Sequence, residues 1–190
     1  MDDKELDAMY NKALGFAMEC HKGQVRKWGG QPAVSHPISV SKFAMARSWE
    51  LGFNKVEINR IGVCSLLHDT IEDGQVKDIR FRIQTMFGHD IYDIVSDLTR
   101  NNSKETYWDY IARICRTDRV ESLIVKYCDT MHNMTTLPLN NSIHERYIKS
   151  LGLLYPELQK ALKRRKQNEK SKEKDSAGEG NSKKVVFLLT

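Results

Sequence analysis

No uncharged apolar run in this sequence approaches the ~20 residues a membrane-spanning helix needs. The N-terminus, Met1-Asp2-Asp3-Lys4-Glu5, is acidic, where a secretory signal would be basic and then apolar. Cysteine is scarce. Cys20, Cys64, Cys115 and Cys128 show no paired spacing, and the last three sit inside apolar patterns. That argues against a disulfide framework and for reduced core thiols in a cytosolic protein. There is no convincing strand pair and no internal repeat. The body also lacks an excess of either charge. The chain's formal charge is +5, but the stretch 163–184 alone holds nine Lys/Arg against four Asp/Glu. The basicity therefore belongs to the tail and says nothing about what the body binds. The tail has no interleaved aromatics, so it reads as a solvated segment rather than a nucleic-acid site.

What is present is helical periodicity. Leu6, Met9, Tyr10, Ala13, Phe16, Ala17 and Cys20 predict a first helix over about 3–21. A loop follows, from His21 to Ser35. Pro37 suits the first turn of a second helix, which runs to about Trp49. Asn54 with Glu57 three residues on forms a capping box for a third helix, carrying Ile58, Ile61, Cys64, Ser65 and His68. Further helices are expected over 79–87 and 91–98, from Ser103 or Thr106, and from Thr117-Asp118 through Met131. The last two cover 143–154 and Pro156 to about Lys166. With 190 residues, 40% of them hydrophobic, the chain suffices for one core. The predicted fold class is all-α, a compact helical bundle over residues 1–160. Residues 161–190 form a basic tail, expected to be disordered because it buries too little apolar surface to offset its ordering entropy. Its apolar end, Val185-Val186-Phe187-Leu188-Leu189, either frays or docks on the body or a partner subunit.

One run breaks the helical pattern: Leu66-Leu67-His68-Asp69-Thr70-Ile71-Glu72-Asp73. On a continuous third helix, His68 and Glu72 would share a face, as would Asp69 and Asp73. Burying such groups unpaired costs several kcal/mol each, and a cation would offset it. His36 upstream and Asp129 downstream complete two imidazoles and two carboxylates. That nitrogen/oxygen set suits one divalent ion, Mn²⁺ ahead of a structural zinc. Each piece also has a plainer reading. His36 could cap a helix, His68-Asp69 could be a hydrogen-bonded helix end, and Glu72-Asp73 a solvated one. Asp129 could belong to a buried Asp–Arg pair. Only the combination points to metal. His132 reads as a packing or supporting histidine, and His21, His89 and His144 as surface residues.

With these residues in place, the chain resembles the HD-superfamily metal phosphohydrolases, and within them the RelA/SpoT-type hydrolase domains and small stand-alone alarmone hydrolases. The likeness covers about residues 5–155. It is carried by His21-Lys22-Gly23-Gln24-Val25-Arg26-Lys27, Val34-Ser35-His36-Pro37-Ile38, the His68 to Asp73 run, and Asp129-Thr130-Met131-His132-Asn133-Met134. The resemblance implies that His36, His68, Asp69 and Asp129 hold one Mn²⁺. It implies that Glu72 and Asp73 position and deprotonate the attacking water, that Arg26 stacks on the purine, and that Lys27 binds the nucleotide. Asn133 and Thr136 would contact ribose and phosphate, and Lys126 would support its helix. Two positions depart from the pattern. Thr130 stands where an Arg or Lys is common after the Asp, and Ala33 where a Tyr is common. The loss of a charge near the site leaves the preferred substrate open. A chain of this length has no room for a synthetase domain.

The activity implied is removal of the 3′-diphosphate from a guanosine 3′,5′-bis(diphosphate)-type alarmone of the stringent response, giving GDP or GTP and pyrophosphate. A second enzyme reading is hydrolysis of another nucleotide, such as NADPH or a nucleoside monophosphate. A reading from another class is a nucleotide-sensing or interaction module with a partner-binding tail, although the intact ligand set and Glu72-Asp73 argue against a dead enzyme. In each case the expected partner is a small purine nucleotide and no membrane, with a homo-oligomer left open.

Overall fold

The computed structural model describes residues 1–182 apart from 102, 139 and 140, with side chains as far as residue 171. Among the described residues there are nine helices and no strand. They are α1 (Asp3–Cys20), α2 (Ser35–Glu50), α3 (Lys55–Leu67), α4 (Thr70–Asp73), α5 (Ile79–Phe87), α6 (His89–Leu98), α7 (Tyr107–Cys115), α8 (Val120–Thr136) and α9 (Ile143–Ser182). The all-α expectation holds. No helix among the described residues is long and apolar enough to cross a membrane.

The helix starts follow from local chemistry. Asp2 with Glu5, Asn54 with Glu57, and Thr106 with Asp109 form reciprocal capping boxes at α1, α3 and α7. Each satisfies two backbone N–H groups that the helix itself leaves open; a good N-cap stabilises by ~1 kcal/mol. Thr106, rather than Ser103, starts α7.

The centre of the bundle is α3, which packs on α1, α2, α6 and α8. Ile61, Val63, Cys64, Leu66 and Leu67 are fully buried there. They meet Val40 and Ala44 of α2 and Leu123, Ile124, Val125 and Cys128 of α8 in one core. Gly62 lets α2 and α3 approach: a Cβ at this position would lie 2.6 Å from Met45 Sδ. The cysteines are free. Burial pushes the thiol pKa of Cys20 up to about 11 and that of Cys128 up to about 12, so both stay protonated and unreactive.

Three features differ from the sequence expectation. First, the third helix does not continue through His68. It stops at Leu67, and a separate short helix begins at Thr70. Side chains compete for the last carbonyls of α3: His68 Nδ1 lies 2.7 Å from Ser65 O, and Thr70 Oγ1 donates to Leu67 O at 2.6 Å. Second, α9 is one helix through Pro156 rather than two. Leu154 before the proline and Leu158, Ala161 and Leu162 after it are all buried. That burial outweighs the roughly 3 kcal/mol an interior proline costs. The packed body passes residue 160, because Arg165 pairs with Glu57 Oε2 at 2.8 Å and lies 4.0 Å from the Phe53 ring centre. The helix also runs on past Lys166, aided by an Arg165–Glu169 ion pair one turn apart at 2.7 Å. Third, His21 is buried, not a surface residue. The segment from Val185 to Leu189 lies outside the described residues.

Candidate active site

Four predicted metal-site side chains converge from three elements. His36 comes from the first turn of α2, His68 and Asp69 from the α3–α4 break, and Asp129 from the middle of α8. His36 Nε2 lies 3.0 Å from Asp129 Oδ1 and 3.5 Å from Asp69 Oδ2. His68 Nε2 lies 3.0 Å from Asp69 Oδ1 and 3.6 Å from Asp129 Oδ1. His36, His68 and Asp69 each offer a ligand atom within 4.8 Å of the other two. Asp129 joins this group through Oδ1.

The direction of one hydrogen bond decides the chemistry. A carbonyl only accepts, so His68 Nδ1 carries the proton it gives to Ser65 O. Its Nε2 is then a lone pair. This atom is buried without a hydrogen-bond partner, and it faces two carboxylates. A lone pair held against anions is repulsive unless a proton or a metal cation sits between them. Burial opposes charge on His68, but Asp69 and Asp129 outweigh it and push its pKa up to about 10. Burial likewise raises Asp69, yet His68 and His36 hold it well below the usual carboxylate range. The cluster thus demands positive charge, and its two nitrogens and two oxygens fit a divalent ion.

Asp129 is shared. Its Oδ2 accepts from buried Lys126 Nζ at 2.7 Å. The plain reading of Asp129 as half of a buried ion pair is therefore partly right, with Lys126 in place of an Arg. Its Oδ1, which faces both histidines, accepts from Asn133 Nδ2 at 2.6 Å. Asn133 Oδ1 in turn accepts from Arg26 Nη2 at 3.0 Å, and the same nitrogen reaches Thr136 Oγ1 at 3.2 Å. Arg26, Asn133 and Thr136 are thereby brought together beside the cluster. Lys27 is close by, its ammonium 5.1 Å from the Trp28 ring centre.

These groups border one cavity of about 570 Å³, within the range of small-molecule sites. His36, Asp69, Asp73, Arg26, Lys27, Asn133 and Thr136 line it. Glu72 does not. It lines a neighbouring cavity of about 740 Å³ and accepts from the Arg100 backbone N–H at 3.1 Å. The two carboxylates stand on consecutive residues of α4 and so point about 100° apart. Gln24 Nε2 donates to Asp73 O at 2.6 Å, and a Cβ on Gly74 would lie 2.3 Å from Thr70 O, so the end of α4 tolerates only glycine. Burial, then Asp69 and Glu72, raise the Asp73 pKa.

Several lining residues escaped the sequence reading. His21 shares the cavity and lies 2.7 Å from Gln24 Oε1 through Nδ1. The signal existed: His21 stands four residues after buried Ala17, on the same helical face. Trp28 and Tyr147 also line the cavity, and nothing in their spacing announces it. Conversely, Thr130 is buried, bonds the Lys126 carbonyl at 2.8 Å, and is not among the residues lining the cavity.

The described residues thus form a helical bundle in which two buried histidines and a half-buried aspartate make one cluster. No family model matches the chain. It is 34% identical over 149 residues to the chloroplastic RSH1 of Arabidopsis thaliana, covering 70% of this chain and 16% of that protein. It is 31% identical over 134 residues to the guanosine-3′,5′-bis(diphosphate) 3′-pyrophosphohydrolase of Borreliella burgdorferi, covering 66% and 18%. The chain thus spans less than a fifth of the length of these curated relatives. A solved structure described as a metazoan ortholog of SpoT that hydrolyzes ppGpp superposes with a TM-score of 0.63 at 20% identity, over 83% of this chain and 96% of that one. The chain is a homologue of the hydrolase domain of RelA/SpoT-type proteins.

Proposed function

We propose that this protein is a metal-dependent phosphohydrolase that removes the 3′-diphosphate of guanosine 3′,5′-bis(diphosphate)-type nucleotides. The observation that carries the reading is the buried His68 Nε2 lone pair, facing two carboxylates beside a nucleotide-sized cavity. A neutral histidine would have a donor there, whereas this nitrogen faces two acceptors and needs a cation or a proton between them. The relative from Borreliella burgdorferi and the metazoan SpoT ortholog supply the substrate class.

In this reading His36, His68, Asp69 and Asp129 hold the ion, for which Mn²⁺ is the first choice. When bound, such an ion lowers the pKa of a water molecule and draws charge from a phosphoryl oxygen. Asp73 accepts the water proton. It lines the cavity with Asp69, and its raised pKa suits a base better than an ordinary aspartate's. Glu72, bonded to the Arg100 N–H, keeps the α4 turn in place. Arg26 and Lys27 supply cationic contacts for the phosphates and a planar face for the base. Asn133 and Thr136 orient Arg26 and contact the nucleotide. Hydrolysis breaks the ribose O3′–P bond and leaves pyrophosphate with GDP or GTP.

Purified protein incubated with ppGpp and Mn²⁺, with and without EDTA, tests this. GDP and pyrophosphate, lost on chelation, are the expected products. Orthophosphate release from NADPH or a monophosphate, with ppGpp untouched, would transfer the same site to the other substrate class.

A further inference from the structure

The two imidazoles of the cluster are held by different kinds of partner. His68 gives its Nδ1 proton to a carbonyl, Ser65 O, which can only accept. Its Nε2 therefore presents a lone pair whenever the ring is neutral. His36 has no such fixed acceptor. Its Nδ1 lies 2.8 Å from Nδ1 of His132, one turn beyond Asp129 on α8, with ring centres 4.9 Å apart. Only one proton fits between two nitrogens at that distance. Which ring carries it determines what His36 Nε2 can offer to Asp69 and Asp129, 3.5 and 3.0 Å away.

We propose that His132 is the positioning residue for His36: its Nδ1 accepts the His36 Nδ1 proton and so fixes His36 in the tautomer whose Nε2 can ligate a cation. The inference rests on the metal reading above and adds a residue to it. If His132 instead donated, His36 Nε2 would have to carry the proton and donate to Asp129, closing that ligand position. In the accepting arrangement both rings are neutral, and His132 keeps its own proton on Nε2. His132 also lines a small cavity of about 220 Å³ with Phe43, Met131 and Thr135. His132 thus does through a side chain what Ser65 O does for His68 through the backbone. Partners of metal-bound histidines commonly have this role.

The test measures Mn²⁺ affinity by the EPR signal of the free ion, on the full chain. His132→Phe keeps a ring and removes the acceptor, while His132→Asn restores a short acceptor. Roughly 10–100-fold weaker Mn²⁺ binding is expected for His132→Phe, with most of it recovered in His132→Asn. A purely structural role would lower the metal-free melting temperature of His132→Phe and leave its Kd unmoved. That outcome overturns the proposal. Wild-type protein that binds no Mn²⁺ would overturn the metal reading itself, and this one with it. Should His132→Phe fail to fold, ¹⁵N spectra of the wild-type histidines loaded with diamagnetic Zn²⁺ decide. A proton on His36 Nδ1 and none on His132 Nδ1 supports the assignment. A proton on His132 Nδ1 refutes it.

Discussion

Removing the metal should reverse how stability responds to pH, and His68 is the reason. Its folded pKa is pushed up to about 10, against ~6.5 for an unperturbed histidine. Below pH ~6.5 both folded and unfolded chains hold this proton, and its stabilising contribution is complete. Above that, the unfolded state releases the proton first. Stability then falls, by at most about 1.4 kcal/mol per pH unit, until the folded pKa is passed. In EDTA, a step of one unit above neutrality therefore costs close to 1.4 kcal/mol, or roughly 3–6 °C in Tm for a chain of this size. With saturating Mn²⁺ the same Nε2 is occupied and cannot carry the proton. Ligation competes with protons, so it strengthens as pH rises, and the slope flattens or turns upward.

Urea denaturation at several pH values between about 6.5 and 8.5, in EDTA and in excess Mn²⁺, measures both curves. Two parallel declining curves would refute the claim that Mn²⁺ and the proton compete for His68 Nε2. A flat curve in EDTA would refute the claim that the metal-free cluster holds a proton there. His68→Asn, which cannot titrate, should remove the decline in EDTA and separates this histidine from every other group.

Three further outcomes follow from the site. Lys126→Met leaves a nearly buried Asp129 without its 2.7 Å partner and should cost about 3–5 kcal/mol in EDTA, with the gap to wild type narrowing in Mn²⁺; equal gaps in both would mean that no cation neutralises Asp129. Asp73→Asn should lower kcat by roughly 10²–10⁴-fold and flatten the acid limb of its pH profile, a limb that lies above the ordinary aspartate range, whereas Glu72→Gln should lower kcat less; the reverse order would reassign the base. Arg26→Ala should raise KM for the nucleotide without weakening Mn²⁺ binding more than a few-fold, and a lost metal site instead would show that Arg26 acts mainly through Asn133 and Asp129.

Much of the fold was legible because helix periodicity and caps are local. Asn54-x-x-Glu57 announces α3, and Gly88 divides α5 from α6, with no tertiary information required. The misreadings arose where two local rules collide or where packing overrides one. An uninterrupted helix through His68 satisfies the 3.6-residue period, but His68 and Thr70 take the carbonyls that would continue it. Pro156 reads as a break until the burial on either side of it is known. In the site, His36, His68, Asp69 and Asp129 were readable as residue types in order, and the structure brings them together. Which acid faces the cavity was not readable, because Glu72 and Asp73 differ by about 100° around a turn whose start the sequence misplaces.

The junction at His68-Asp69 carries two of the cluster's side chains and leads directly into the turn that holds Glu72 and Asp73. Asp73 follows Asp69 by one turn, its N–H bonded to the Asp69 carbonyl at 2.9 Å, while Glu72 points about 100° away. Glu72 thus meets the Arg100 backbone, and Asp73 lines the cavity with Asp69 and His36. The opposite wall is tied to the same centre: Arg26 bonds Asn133, and Asn133 bonds the oxygen of Asp129 that both histidines face. A phosphate that draws Arg26 toward itself would loosen Asn133 and change the charge felt at Asp129 Oδ1. Nucleotide and cation are then linked through two hydrogen bonds, and each should alter the other's affinity by the same factor.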